Sequence, residues 1–264
     1  MEAMMADSGR SDAVMHRIRC SEVWGGIRDI DLDLSTSGLT VSLHSNACDG
    51  GKGGDIYYFS VCGSDRLTRI ALADVVGHGE AVSHVSQWIY DALVERMNSL
   101  EGNEILHELN RLANLHELEA MTTAAIISFY ISDSNLYFSY AGHPPLLVRQ
   151  RDVKEWRAVP LAARAELRAE PANLPLGVMN DVSYDQEQLT LSAGDRLLLY
   201  TDGVIEMPDA SGDLFGSHRL LAALEQAGNG SLTAVKNTVL AALRQHAGGP
   251  LTHDDVTLML IEVR

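Results

Sequence analysis

Three cysteines, Cys20, Cys48 and Cys62, are all that the 264 residues contain. An odd number at these spacings excludes a disulfide framework and matches no zinc motif, and such usage suits a reducing cytoplasm. Positive charge is also short: 20 Lys and Arg stand against 36 Asp and Glu, a formal net charge of -16. That balance argues against nucleic acid and anionic membrane surfaces as partners, and any anionic substrate needs cations held locally. No apolar run approaches the roughly 20 residues needed to span a bilayer, and the N-terminus lacks the apolar core of a signal peptide. The sequence thus predicts a cytoplasmic protein that does not enter a membrane. Hydrophobic residues, by contrast, make up 46% of the chain, enough to bury one large core.

Residues 1–17 carry no sustained periodicity and are expected to be a flexible leader to a single domain over 18–264. From Gly38 the chain turns to short apolar runs, "GLTVSLHS", "DIYYFSVCG" and "LTRIALAD", broken by Gly, Asp and Ser; these read as strands. A helical hairpin follows over 80–118, with Val82, Val85, Ile89, Leu93 and Met97 on one apolar face and Ile105, Leu109, Leu112 and His116 on the next. Strands return in "TTAAIISFYIS", "NLYFSYAG" and "PPLLVRQ", read as an antiparallel meander. A polar connection over 151–180 leads to "QEQLTLSAG" and "DRLLLYTDG", two strands on either side of the turn "SAGD". Helices at about 217–227 and 231–246 precede a last strand, "DVTLMLIEV". Tight turns between strands and helices in pairs favour an α+β fold with antiparallel sheets over a parallel doubly wound one.

Four aspartates stand at strand ends. Asp74 ends "RIALAD" and Asp202 ends "LLLYTD", whereas Asp55 begins "DIYYFSV" and Asp254 stands before "DVTLMLIEV". Antiparallel neighbours bring the end of one strand beside the start of the next, so the four are expected to meet at one sheet edge. Carboxylates so close repel, and they take up protons or cations. An all-oxygen site suits magnesium or manganese, and two such ions about 3.5–4 Å apart are a common arrangement for phosphoester hydrolysis. Of the neighbouring pair Asp254 and Asp255, Asp254 is assigned to the metal, because successive side chains on a strand face opposite ways.

"KGGDIYYF", "IALADVVGHGEAV", "YAGHPPLL", "LLLYTDGVIE" and "HDDVTLMLIEV", in this order and spacing, resemble the metal-dependent serine/threonine phosphatases of type 2C. The branch they resemble most is the bacterial one of sporulation stage II protein E and the RsbU regulators of sigma-factor partner switching. The resemblance implies a four-layer α-β-β-α sandwich, two antiparallel sheets flanked by paired helices, with two Mn2+ or Mg2+ ions at one edge. It implies that Asp74 bridges the ions, that the Val75 carbonyl faces the second, that Asp202 and Asp254 hold the first, and that Asp55 orients water at the second. It implies an amide suffices at position 255. The implied substrate is a phosphoserine or phosphothreonine protein, a STAS-type anti-sigma-factor antagonist, and the implied regulatory partner acts at the helices of 80–118.

Lys52 and His78 are candidates for holding phosphate; solvated side chains are the plainer reading of both. His143, before two prolines, is expected to stabilise its turn, and Cys48 and Cys62 to act as small apolar residues. Asp49 is expected to form a turn. Two other functions share the residues: a catalytically silent signalling module, and a hydrolase of small phosphoesters.

Overall fold

The computed structural model describes residues 15–96, 99, 101–115, 121–161 and 173–264. The elements in chain order are β1 (His16–Arg17), β2 (Val23–Arg28), β3 (Ile30–Ser35), β4 (Leu39–Asn46), β5 (Lys52–Cys62), β6 (Leu67–Val75), α1 (Ser83–Glu95) and α2 (Gly102–Leu115). There follow β7 (Thr122–Tyr130), β8 (Asn135–Ala141), β9 (Leu147–Arg149), β10 (Arg157–Ala158), β11 (Glu187–Thr190), β12 (Arg196–Tyr200), α3 (Gly216–Ala227), α4 (Leu232–Ala247) and β13 (Val256–Val263). One sheet runs β1-β3-β4-β13-β12-β9-β10 and the other β11-β8-β7-β6-β5-β2. All pairings are antiparallel except the short parallel one of β1 with β3.

Three apolar layers hold these elements together, and side-chain alternation along each strand sorts residues among them. Tyr57, Phe59, Ile70 and Leu72 of one sheet meet Leu197, Leu199, Met259 and Ile261 of the other in the gap between sheets. The intervening residues Ile56, Tyr58, Ala71 and Ala73 face outward and pack under Val85, Ile89, Leu93, Ile105 and Leu109 of α1 and α2. On the opposite side Leu198, Tyr200, Leu258 and Leu260 pack under Leu220, Leu224, Val239 and Leu243 of α3 and α4. Central strands covered on both faces lose the polar alternation of a half-exposed sheet, and "DIYYFSV" and "VTLMLI" accordingly read as continuous apolar runs. Four layers, helices outside and sheets inside, follow from that burial.

The helical hairpin lies where the apolar spacing predicts it, although its second face turns towards Leu106, Asn110 and Ala113, with Leu112 half-buried. Met97 and His116 of the expected faces lie outside the described residues. The expected leader also lies outside them except at its end, where His16 and Arg17 pair with β3. Besides β1, two further strands before Gly38, β2 and β3, were not expected. "IDLDLS" does alternate apolar and acidic residues at the strand period, but "VWGGIR" has two central glycines that hide its pattern.

Two expected strand neighbours belong to different sheets. β9 leaves the meander after β8 and pairs with β12 and β10. β11 pairs with β8, while β12, beyond the "SAGD" turn, pairs with β13 and β9. A short turn is equally able to fold a hairpin or to pass the chain from one sheet of a sandwich to the other, so local sequence does not choose the partner. Among the described residues, no helix is long and apolar enough to cross a membrane.

Candidate metal centre

Asp55 and Asp74 are direct cross-strand partners at the ends of β5 and β6. By alternation both fall on the face shared with Tyr57 and Leu72, so both project into the gap between sheets. Asp202 follows β12 in the 3-10 turn Asp202–Val204, and Asp254 stands two residues before β13. The four acids therefore meet at one end of the sandwich, two from each sheet, and not along a single sheet edge as the sequence suggested.

Their electrostatics show the meeting. Burial raises the Asp74 carboxyl well above the usual carboxylate range, and repulsion from Asp55 and Asp202 raises it further. Asp55 is buried and likewise raised, first by loss of solvent; hydrogen bonds from Thr257 and Thr201 oppose the rise, while Asp255 and Asp254 add to it. Asp254 is raised by burial, against a stabilising bond from the Asp255 backbone N–H. The Asp55 Oδ2 accepts from the Thr201 hydroxyl at 2.8 Å, yet its Oδ1 is buried with no partner among the described residues. A buried carboxylate oxygen left unpaired is costly, and a hard cation or its water satisfies it. The donor set, carboxylates and a carbonyl with no thiol or imidazole among them, fits magnesium or manganese.

Thr201 and Thr257 were missed by the sequence reading. The Thr201 hydroxyl bridges Asp55 and the Thr257 N–H, at 2.8 and 3.0 Å, and Ser45 and Thr257 hydroxyls lie 2.8 Å apart. These hydroxyls carry a polar chain across the gap between sheets. The available signal was their parity with the inward-facing Leu199 and Met259.

Asp255 has a different task from Asp254. Its buried carboxylate accepts backbone N–H groups of Cys48 at 2.8 Å, Gly54 at 2.5 Å and Gly79 at 3.0 Å, which ties two loops and the start of β5 together. An amide has one oxygen and would turn N–H towards N–H at the other position, so the expectation that an amide suffices here gives way to a structural cost. Gly203 is needed beside it: a Cβ there would stand 2.0 Å from the Asp255 carbonyl oxygen. Gly54 similarly allows the Val75 carbonyl, 2.9 Å from where a Cβ would lie, to approach the start of β5. The Val75 side chain itself is buried under the α1–α2 layer.

The remaining candidates separate. Lys52 begins β5 in register with Arg28, three residues from Asp55. His78 is exposed and its field favours ionised Asp254, while its Nδ1 lies 3.2 Å from the Cys48 sulfur. Burial pushes the Cys48 thiol up to about 12, which fits no nucleophile. His143 is buried, its Nδ1 3.1 Å from the Thr123 hydroxyl and its Nε2 without a partner among the described residues. Thr123 is the register partner of Asp74, so His143 supports the strand behind that carboxylate.

Desolvation lowers the His143 imidazole from 6.5 to about 3. Between these values the unfolded chain binds one more proton than the folded one, so stability falls with falling pH. From pH 6.5, where the unfolded imidazole is half protonated, to pH 5 the loss is about 1.6 kcal/mol, the slope approaching 1.36 kcal/mol per unit only below pH 6. Urea unfolding of the wild type and His143→Gln at the two pH values is expected to show the wild type losing about 1.6 kcal/mol more than the variant. An unchanged difference between them would contradict a buried, neutral imidazole.

The sequence model of the family described as stage II sporulation protein E matches residues 64–264. The chain belongs to that family. Its relatives include the phosphoserine phosphatases RsbP and RsbU of Bacillus subtilis strain 168. RsbP is 24% identical over 80% of this chain and 49% of its own length, and RsbU 25% identical over 79% and 58%. The chain thus spans about half the length of these curated relatives. The solved RsbU and RsbW domains of a Mycobacterium tuberculosis protein superpose with a TM-score of 0.71 at 22% identity, covering 90% of this chain and 61% of that one. The phosphatase domain of the Bacillus subtilis stage II sporulation protein E, with a fragment of its regulatory domain, gives 0.67 at 18%, covering 92% and 70%. The α+β sandwich is therefore the type 2C phosphatase fold of this family, as the motifs implied.

Proposed function

We propose that this chain hydrolyses phosphoserine or phosphothreonine on a regulatory protein, with two Mn2+ or Mg2+ ions held by its end-of-sandwich acids. The observation that carries this is the convergence of Asp55, Asp74, Asp202 and Asp254 from both sheets, with one buried Asp55 oxygen unpaired among the described residues. Asp74 would bridge the ions, Asp202 and Asp254 would hold the first, and the Val75 carbonyl and Asp55 would serve the second. When bound, the ions supply a water of lowered pKa and neutralise the phosphoryl oxygens. Thr201 and Thr257 fix the Asp55 rotamer through their hydroxyls. His78, exposed and near enough to Asp254 to favour its ionised form, would meet the phosphate of an approaching side chain, and Lys52 at the start of β5 is the other candidate.

A groove of about 400 Å3 opens beside Asp202, lined in part by His143, Pro144, Tyr200 and Ile205, where a peptide flanking the phosphorylated residue would lie. The names of RsbP and RsbU, phosphoserine phosphatases, support phosphoserine as the group hydrolysed, and the partner-switching resemblance points to a STAS-type anti-sigma-factor antagonist as its carrier. Regulation would act through α1 and α2. The Ser86 hydroxyl on α1 donates to the Gly54 carbonyl at 3.2 Å, next to Asp55, so a shift of that helix is felt at the centre. Purified protein is expected to release phosphate from a phosphoserine STAS-domain protein when manganese or magnesium is supplied, and to stop when a chelator is added. Full turnover after exhaustive demetallation, or turnover of p-nitrophenyl phosphate with no action on phosphoproteins, would overturn the reading.

A further inference from the structure

At the rim of the carboxylate centre, Cys48, Asp49 and His78 bring one ligand atom each to within 4.8 Å of one another. The Cys48 sulfur and His78 Nδ1 stand 3.2 Å apart. The three belong to two loops, the one between β4 and β5 and the one between β6 and α1, and no sequence spacing joins them. The Asp255 carboxylate does: it holds the Cys48 and Gly79 backbone N–H groups at once. Gly79 completes the approach, since with φ of +63° it leaves the space in which the Asp49 carboxylate sits, 2.3 Å from where a Cβ would be. The cluster is therefore placed by a buried anchor and by backbone shape.

We propose that Cys48, Asp49 and His78 form a separate site for a thiophilic divalent cation, zinc above all, distinct from the oxygen-donor centre of Asp55, Asp74, Asp202 and Asp254. One sulfur, one imidazole nitrogen and one carboxylate oxygen form a ligand set of the kind that binds zinc and that magnesium does not favour. Ligand atoms on a tetrahedral zinc lie about 3.5 Å apart at ordinary bond lengths, so the sulfur and nitrogen need to separate by only a few tenths of an ångström. Binding transfers the Cys48 thiol proton to solvent, and the sulfur binds as thiolate. The negative field of Asp49, Asp254 and Asp255 that disfavours a bare thiolate favours a bound dication. His78 and Asp49 are exposed, which leaves a fourth position open to water. Occupancy pins the two loops that flank the phosphatase centre to each other.

The test uses the whole protein in excess magnesium, so that the oxygen-donor centre is supplied with its own kind of ion, with cobalt(II) as the spectroscopic probe. One equivalent of cobalt is expected to give a sulfur-to-metal charge-transfer band in the near ultraviolet that zinc bleaches. The band should vanish in Cys48→Ser and persist in Cys20→Ser and Cys62→Ser. In His78→Ala, a truncation at an exposed position, cobalt should bind at least tenfold more weakly. Zinc should also raise the melting temperature of the wild type in excess magnesium and leave that of Cys48→Ser unmoved. No band in the wild type, a band that survives in Cys48→Ser, or unchanged affinity in His78→Ala would overturn the proposal.

Discussion

Asp74→Asn is expected to lower kcat/KM on a phosphoprotein by roughly three orders of magnitude, ~4 kcal/mol of transition-state stabilisation, while making the chelator-treated protein more stable at neutral pH. Asp74 is the residue on which the other acids act: Asp55, its register partner, and Asp202 both raise its carboxyl. With its folded value raised, its favourable contribution is present below the ordinary carboxylate range and is lost as pH rises through the folded value. At pH 7, without cations, the ionised cluster is thus a net cost, which a neutral amide of the same shape removes. The gain should shrink as pH falls to about 4, the ordinary carboxylate value, and vanish below it, where the unfolded form also carries the proton. Melting curves with and without chelator, beside steady-state kinetics, check both halves. Lower stability of Asp74→Asn in chelator, or retained activity, would remove Asp74 from the centre of the site.

The neighbouring aspartates at the start of β13 should fail in opposite ways. Asp254→Asn is expected to lose at least a hundredfold in activity and to need much more metal, with its fold intact, since among the described residues its side chain bonds only the N–H of the next residue. Asp255→Ala is expected to lose stability first. It strips acceptors from three buried backbone N–H groups, each costing about 1–3 kcal/mol when left unpaired. A loss of roughly 4 kcal/mol corresponds to a melting temperature lower by about 10 °C in a chain of this size. Asp255→Asn should fall between, because its amide keeps one accepting oxygen. If Asp255→Ala melted as the wild type does and Asp254→Asn unfolded, the assignment of the two would be reversed.

What could be read without coordinates follows from what is local. Asp55, Asp74, Asp202 and Asp254 announced themselves by breaking apolar runs at their ends, and the glycines beside them by marking close turns. α1 and α2 were legible from three- and four-residue apolar steps. β3 was legible in principle from "IDLDLS", whereas the glycines in β2 removed the side chains that would have shown its period.

The order of polar and apolar residues by itself determined the layers, because a strand buried on both faces must be apolar throughout and a helix that covers it must carry one apolar face. It also determined which acids end their strands. Only the tertiary structure decided that β9 and β12 leave their sequence neighbours for the opposite sheet, and hence that the acids come two from each sheet. It alone placed Thr201 and Thr257 against Asp55, gave the Asp255 carboxylate three backbone amides, and set Cys48 beside His78. Each of these is a contact between segments remote along the chain, selected by how whole sheets pack and not by the residues next to it.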